Sequence, residues 1–149
     1  IENITVLGNA ESLRQVVDIL IDNAIKYSTP ETTIYVSLTA AKRNVQFTVE
    51  SYGEPIGPGD MKRIFQKFYR IGTDSAGYGL GLSIAQSIIE EHSGSIWAET
   101  DGASKNKFIV QLNSVTDDTG KTNAKKSPAQ KAGLFSLYHQ ILIKPASLG

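Results

Sequence analysis

The sequence of 149 residues contains no cysteine, which excludes disulfide bonds and thiolate metal sites and is compatible with a reducing cytoplasm. No apolar run approaches the roughly 20 residues that a membrane-spanning helix needs, and the first residues do not read as a signal peptide. The formal net charge is zero, so bulk electrostatics do not favour non-specific nucleic-acid binding. We therefore expect no nucleic-acid partner and no direct membrane contact. Because the sequence begins without Met, we expect a part of a longer protein.

The composition is that of a folded domain, with 40% hydrophobic and 20% charged residues. It changes near residue 114, where a small and polar segment begins. Residues 114–149 contain five Lys and two Asp and carry a charge of +3, which leaves −3 on residues 1–113. We predict one domain over residues 1–113, followed over residues 114–149 by a flexible polar linker and a short apolar C-terminal appendage. Apolar residues of the appendage lie at helical spacing, namely Leu134, Leu137, Tyr138 and Ile141.

Capping and alternation signals predict a mixed fold within the first 113 residues. Asn9 can cap a helix from about Ala10 to Tyr27, and another helix is expected from about Leu80 to His92. Apolar and polar residues alternate over residues 34–38 and 45–49, which predicts a β-hairpin with one buried face, and a second hairpin closes the domain. The predicted fold class is α/β (α+β): a two-layer α/β sandwich with three main helices on one face of a mixed, largely antiparallel sheet.

The strongest local signal is the stretch from Gly77 to Leu82 (GYGLGL), which opens the second long helix. Alternate glycines let a ligand approach the backbone closely, and a helix N-terminus offers unpaired N–H groups and the positive end of a dipole. These features favour a polyphosphate, although a flexible turn before a helix would explain the same residues. No Gly-Lys-Ser/Thr follows and a loop precedes the stretch, so neither a Walker site nor a Rossmann site is indicated.

A second signal lies at the end of the first helix, where residues 22–28 read DNAIKYS. Asn23 lies three residues after Leu20, on or beside the buried stripe, where its carboxamide needs polar partners. A hydrated magnesium ion could be one of them. Lys26 and Tyr27 follow three and four residues later, so the three side chains project together. The alternative explanation is a Lys near the C-terminal dipole and a Tyr in the core.

A third signal is the segment from Phe65 to Arg70 (FQKFYR), which follows apolar residues whose spacing predicts a short helix. Phe65 and Phe68 are most simply explained as core residues. Tyr69 and Arg70 begin the next loop, where an Arg has little structural reason but could pair with phosphate.

The order and spacing of these motifs resemble the catalytic domain of bacterial sensor histidine kinases, which shares the Bergerat-type superfamily with DNA gyrase, the heat-shock chaperone ATPases and mismatch-repair ATPases. The match runs from about Gly8 to Leu112. DNAIKYS resembles the N box of that family, FQKFYR its F box, GYGLGL its second glycine box, and EHSGSI at residues 91–96 its usual helix exit. The resemblance implies an α/β sandwich that binds ATP with Mg²⁺ between the N-box helix and a mobile lid, here residues 71–76.

The resemblance also implies roles for individual residues. Asn23 would bind Mg²⁺, with Lys26 and Tyr27 near the phosphates. Tyr69 and Arg70 would lie at the lid edge, Arg70 towards the γ-phosphate, and Asn23 and Arg70 would be the catalytic residues. The triphosphate would be cradled by Gly77, Gly79, Leu80, Gly81 and Leu82, and the nucleoside would be bound by Ser51, Gly53 and Ile56.

The sequence departs from the family pattern at two places. The first glycine box normally reads Asp-x-Gly-x-Gly, with the Asp bound to the adenine amino group, but residues 51–56 read SYGEPI, with Ser51 at the aspartate position and Pro55 at the second glycine. The residue one turn before Asn23, often another Asn in these kinases, is Ile19, so Mg²⁺ would have one fewer protein ligand. In the gyrase-type and chaperone ATPases a Glu at this position activates water. Because Ile19 cannot act as a base, direct ATP hydrolysis is disfavoured.

The resemblance implies a protein-histidine kinase of two-component signalling, which transfers the ATP γ-phosphate to a histidine on a separate dimerisation domain and acts upstream of a response regulator. It would be the cytoplasmic domain of a membrane-anchored sensor. The only histidines are His92, which ends a helix, and His139, and neither lies in an acceptor motif. The alternative is a degenerate module with weak or no ATP binding that signals through protein contacts. Ser51 favours the alternative, whereas Asn23, Arg70 and the glycine run favour the kinase.

Overall fold

A computed structural model describes residues 4–41, 43–72, 79–115, 134–135 and 141–143. Within these residues no helix is long and apolar enough to cross a membrane. The elements, in chain order, are β1 (Ile4–Thr5), α1 (Ala10–Tyr27), β2 (Ile34–Ala41), β3 (Asn44–Tyr52), a 3₁₀ helix (Arg63–Phe65), α2 (Gly81–Glu91), β4 (Ser95–Thr100), β5 (Lys105–Asn113), β6 (Leu134–Phe135) and β7 (Ile141–Ile143).

Five strands form one sheet in the order β4-β5-β3-β2-β7, and its neighbouring strands are antiparallel. The β2–β3 and β4–β5 pairs are the two hairpins that the alternation predicts. β5 pairs with β3 along its whole length, from Lys105 opposite Tyr52 to Asn113 opposite Asn44. The two hairpins are therefore joined through their second strands, and the turn between β2 and β3 lies at the opposite end of β3 from Tyr52.

The helices and one face of the sheet share a single apolar core. Leu20 of α1, Ile89 of α2 and Val49 of β3 are almost completely buried in it. Burial alternates along β3, and the buried row of that strand ends at Ser51. The end of the sandwich at which β3 finishes is therefore lined by Ser51 on the helix-covered side.

The predicted two-layer α+β sandwich is confirmed, with one difference in its helices. In place of the third helix there are turns and the single 3₁₀ turn Arg63–Phe65, in which Phe65 is buried as expected. The core position predicted for Phe68 is wrong, because this residue is 70% exposed and has a left-handed φ of 64°. A left-handed residue breaks the helical spacing, which is why Phe68 does not continue the apolar stripe of the preceding turn.

The apolar appendage contains strands where its spacing indicated a helix. β6 pairs with β1, and β7 adds to the free edge of β2. Strand pairing depends on partners far away in the chain, which the local spacing of four apolar residues does not reveal. Leu137, Tyr138 and the predicted linker from residue 116 onward lie outside the described residues. The division of the chain at residue 113 stays a prediction.

Candidate functional site

The last turn of α1 carries three of the predicted site residues. Asn23 is partly buried, whereas Lys26 and Tyr27 are exposed, Tyr27 to 51% of its surface. Tyr27 is therefore not the core residue that the alternative explanation required. The Lys26 ammonium group lies 5.6 Å from the centre of the Tyr27 ring, a cation–π contact at the surface. The two side chains thus form one exposed group next to Asn23.

The end of α1 is fastened to the end of β3. The Thr29 N–H donates to the Tyr52 carbonyl oxygen at 2.8 Å. Gly53 lies so close to the helix end that a Cβ on this residue would come within 2.8 Å of the Tyr27 carbonyl oxygen. Because a larger residue would push the strand away from the helix, glycine at position 53 keeps the first glycine box beside the N-box motif.

Ser51 and Glu50 lie on opposite faces of β3. Ser51 is only 8% exposed on the helix-covered face. The Glu50 carboxylate lies 3.6 Å from the Lys105 ammonium group and 3.4 Å from that of Lys107, both on β5. Glu50 is therefore engaged in ion pairs on the outer face, and Ser51 is the residue of the two that can line an inner pocket.

Asn106 on β5 belongs to the same region, although the sequence analysis missed it. It lies directly opposite Ser51 in the sheet register. Its Nδ2 donates to the Glu54 carbonyl oxygen at 2.7 Å, and its Oδ1 accepts the Ile56 N–H at 3.0 Å. The signal that could have identified it is its place in the alternating row of β5, whose next members are the apolar residues Phe108, Val110 and Leu112.

The N-terminus of α2 approaches the middle of α1. A Cβ on Gly81 would lie 3.3 Å from Cγ2 of Ile19, so the first residue of α2 contacts the α1 face that carries Asn23 one turn further on. Among the described residues, no side chain caps the start of α2 after Leu80, whereas Asn9 caps α1 by accepting the Ser12 N–H at 2.9 Å. An uncapped helix N-terminus leaves N–H groups for an anion. Leu82 packs partly against the core.

The two ends of the predicted lid are joined at its base. The Phe68 N–H donates to the Gly79 carbonyl oxygen at 2.9 Å. Gly79 has a left-handed φ of 69°, and a Cβ there would come within 2.8 Å of the Tyr69 carbonyl oxygen. Glycine at position 79 is thus required by the approach of the two chain segments as well as by its own conformation. Gly77 and lid residues 73–76 lie outside the described residues.

Tyr69 connects the base of the lid to the loop before it. Its hydroxyl group donates to Oδ1 of Asp60, and the Arg63 guanidinium carbon lies 4.5 Å from the centre of its ring. The hydrogen bond to the Asp60 carboxylate raises the pKa of the Tyr69 hydroxyl group. Tyr69 is therefore held by structural contacts just before the predicted lid, and the exposed Arg70 follows it.

A metal ion at this end would depend on few protein ligands. In the described part of the chain, no group of three or more His, Asp or Glu side chains could hold a metal by itself. Asn23 supplies one amide oxygen at the edge of the core. That fits Mg²⁺, which retains several water molecules and binds through few protein groups together with substrate phosphates.

The arrangement brings a partly buried amide, a lysine, a buried serine and an uncapped helix end to one end of the sandwich. Residues 8–116 match the family of histidine kinase-, DNA gyrase B- and HSP90-like ATPases. The chain belongs to this ATPase family. The family assigned from the four ordered motifs is thereby confirmed, and ATP is the ligand that membership implies.

The chain is also similar to heme sensor proteins of staphylococci. It is 39% identical over 112 residues to the heme sensor protein HssS of Staphylococcus epidermidis and 40% identical to HssS of Staphylococcus aureus. These matches cover 75% of the chain and 24% of each relative, so the chain spans about a quarter of their length.

Solved structures of histidine kinases have the same fold. The catalytic domain of histidine kinase ThkA is similar with a TM-score of 0.64 and 30% identity, covering 72% of this chain and 71% of that domain. The mycobacterial sensor histidine kinase MprB has a TM-score of 0.67 at 23% identity over 74% of this chain and 76% of that one, which supports the fold alone. Residues 8–116 thus form an ATP-binding catalytic domain of the sensor histidine kinase type. The roles of its single residues stay predictions.

Proposed function

We propose that this ATPase domain binds Mg–ATP where the end of α1, the loop of residues 53–56 and the N-terminus of α2 meet, and transfers the γ-phosphate to a histidine on a separate dimerisation domain. The observation that carries the proposal is the uncapped start of α2, which contacts α1 one turn before Asn23. In this proposal the domain is the cytoplasmic part of a membrane-anchored sensor and acts upstream of a response regulator.

The phosphates would lie against the start of α2. Its first N–H groups and the positive end of its dipole attract an anion, and no acidic side chain lies in its first turn. Lys26 is exposed beside Asn23, and Arg70 is exposed at the base of the lid, so each can bring a positive charge to the triphosphate. Gly81 and Leu80 would contribute backbone, because the helix begins at these residues.

Mg²⁺ would be held by the Asn23 amide oxygen together with ATP phosphates and water. When bound, the ion neutralises charge that builds up on the phosphate oxygens. Asn23 would be the only protein ligand of the ion on α1, because the position one turn earlier is occupied by Ile19. The apolar side chain of Ile19 lies against Gly81.

The site favours transfer to a side chain over transfer to water. In the transfer, the γ-phosphoryl group leaves ADP and bonds to an imidazole nitrogen of the acceptor, whose N–H proton passes to solvent. Such transfer depends mainly on positioning and electrostatics, which α2, Lys26 and Arg70 can supply. Hydrolysis needs a base to activate water, and Ile19 offers none at the position facing α2.

A degenerate signalling module is the second candidate function, and Ser51 is the observation that favours it. An uncharged side chain lies where the family has a carboxylate, so the nucleoside could bind too weakly for useful turnover. Calorimetric titration of ATP with and without Mg²⁺ separates the two functions: magnesium-dependent binding supports the kinase, and no binding at millimolar ATP supports the module.

The same titration tests the site when it is applied to Asn23→Ala and to a matched control, Asn113→Ala, at the exposed end of β5. We expect Asn23→Ala to weaken Mg–ATP binding by at least tenfold and to remove its magnesium dependence, because the ion loses its protein ligand. Asn113→Ala should bind like the unmodified chain. Equal binding by all three proteins would show that Asn23 does not hold the ion.

A further inference from the structure

We infer that Asn106 is a positioning residue that holds the loop of residues 53–56 as the nucleoside-side wall of the ATP pocket. The inference rests on the proposed ATP site and adds to it the residue that sets its shape. Asn106 carries two hydrogen bonds to this loop, to the Glu54 carbonyl oxygen at 2.7 Å and from the Ile56 N–H at 3.0 Å.

The loop has little means of holding its own shape. The Gly53 N–H donates to the carbonyl oxygen of Ser104, the residue before β5, at 2.8 Å. Pro55, two residues later, has no N–H to donate. The Asn106 amide contacts the backbone on both sides of Pro55, with its donor on the carbonyl before the proline and its acceptor on the N–H after it. One side chain thus holds the backbone on both sides of Pro55, beyond the end of the β3–β5 pairing at Tyr52 and Lys105.

The position of Asn106 links this contact to the pocket. Directly opposite residues of an antiparallel pair place their side chains on the same face of a sheet. Asn106 is opposite Ser51, which is only 8% exposed. The amide of Asn106 is oriented by its two bonds to the loop. Its influence on a bound nucleoside would therefore pass through the loop, and Ser51 would supply the polar group at the floor.

The phosphate side of the site is built from other elements. α2 starts at Gly81 and is placed by its contact with Ile19, and neither residue contacts Asn106 through a hydrogen bond. Loss of the Asn106 amide should therefore weaken binding of the nucleoside part and spare binding of the phosphates. A residue that only stabilised the fold would weaken both parts alike.

The test compares Asn106→Ala, which removes both hydrogen bonds, with Asn106→Asp, which keeps the acceptor for Ile56, and with the control Asn113→Ala on the same strand. Each protein is titrated calorimetrically with Mg–ATP, and magnesium tripolyphosphate is measured by competition against a fluorescent ATP analogue. Amide hydrogen exchange of Ile56 is followed without ligand, so that the hydrogen bond is tested independently of nucleotide.

For Asn106→Ala we expect a loss of Mg–ATP affinity of roughly tenfold, as two ordinary hydrogen bonds imply, with less than about a twofold change for tripolyphosphate and faster exchange of the Ile56 amide. Asn106→Asp should retain protection of Ile56 and show a smaller loss, and it serves as the test if the Ala variant does not fold. Unchanged exchange of Ile56 in Asn106→Ala, or equal losses for ATP and tripolyphosphate, would overturn the inference. If the unmodified chain binds no ATP, the proposed function is refuted, and so is the role of Asn106 in the pocket. In that case faster exchange of Ile56 in Asn106→Ala would still show that Asn106 holds the loop.

Discussion

At the scale of single residues, Ser51 would determine how the base of a bound nucleotide is held in the proposed pocket. A buried carboxylate that accepts a hydrogen bond from the adenine amino group contributes typically about 1.5–3 kcal/mol, because the bond is charge-assisted. A serine hydroxyl group is shorter and uncharged, but it can donate as well as accept. A carboxylate at this position would bind only a base that donates a hydrogen bond. Ser51 can bind a base that donates or one that accepts.

This side chain yields a prediction for affinity and selectivity. We expect ATP to bind more weakly than in relatives with Asp at this position, by roughly one to two powers of ten, with weaker discrimination between ATP and GTP. Ser51→Asp should tighten ATP binding and restore the preference for adenine, as measured by calorimetry with both nucleotides.

Glu50→Gln is the matched control, because Glu50 pairs with two lysines on the outer face of the sheet. It should leave ATP affinity unchanged. If Ser51→Asp has no effect while Glu50→Gln abolishes binding, the alignment of the first glycine box is wrong by one residue.

Phe68 yields a second residue-scale prediction, for stability. A left-handed backbone costs an ordinary residue roughly 1–2 kcal/mol, and glycine avoids that cost while losing about 0.5–1 kcal/mol of chain entropy. Because the Phe68 side chain is mostly exposed, little packing is lost on its removal. Phe68→Gly should therefore leave the free energy of unfolding unchanged or raise it by up to about 1 kcal/mol in thermal denaturation without nucleotide.

Lys67→Gly is the control for Phe68→Gly, since Lys67 does not have a positive φ and should only lose stability on this change. A clear loss of stability in Phe68→Gly would mean that the phenyl ring makes a contact that its exposure conceals.

At the scale of elements, His92 connects the end of α2 to the start of α1. Its Nδ1 lies 2.6 Å from the Ile88 carbonyl oxygen, and its Nε2 accepts the N–H of Asn9 at 3.0 Å. A carbonyl oxygen needs a donor and an N–H needs an acceptor, so these bonds require a neutral ring with its proton on Nδ1. Gly8 is required beside it, because a Cβ there would lie 2.2 Å from Cδ2 of the ring.

We therefore predict that nitrogen NMR at neutral pH finds His92 in the Nδ1–H tautomer, with His139→Ala used to assign the signals of the two histidines. Replacing His92 by Ala removes the acceptor of the Asn9 N–H, which should lower the free energy of unfolding by about 0.5–1.5 kcal/mol. An Nε2–H tautomer, or a His92→Ala variant as stable as the unmodified chain, would contradict this account of the helix junction.

The elements differ in how far the sequence predicts them. α1 has the predicted limits, because a cap at Asn9 and a stripe of apolar residues are local signals. The exit from α2 was harder to predict: Ser93, with a φ of 56°, takes the left-handed position expected of a glycine, while Gly94 is required where a Cβ would lie 2.5 Å from the Gln111 carbonyl oxygen. Phe68 and the strands of the appendage depend on distant partners, so local patterns gave the wrong answer there.

At the scale of the whole molecule, the proposed function gives the chain a phosphate-donor site and puts the acceptor histidine on a separate domain. His92 is engaged by two backbone groups, and His139 lies outside the described residues. We predict that the chain incubated alone with labelled ATP acquires no label on histidine and releases little free phosphate. Acid-labile label measured after gel separation, at a level near one per chain on either histidine, would contradict the proposal of a catalytic domain without its acceptor.

The sequence predicts single residues of the candidate site better than it predicts the contacts that hold them together. The motifs indicated Asn23, Lys26, Ser51 and the glycine run, and the structure places the first three and residues 79–82 of the run at one end of the sandwich. The sequence could not indicate that Gly53 and Gly79 are required by contacts between chain segments, or that Asn106 bonds a loop about fifty positions earlier. Such requirements arise where segments far apart in the sequence come close together, and no local sequence pattern reveals them.

The hydrogen bond between Phe68 and Gly79 has a consequence for how this family can diversify. Because this hydrogen bond holds the two ends of the segment together, segments of different length can join the same two ends without moving the rest of the fold. Closing a flexible loop of twice the length costs only about 0.6 kcal/mol more. Insertions and deletions can therefore accumulate between Gly72 and Gly79 with little effect on folding. A foreign peptide inserted there should leave the domain able to fold.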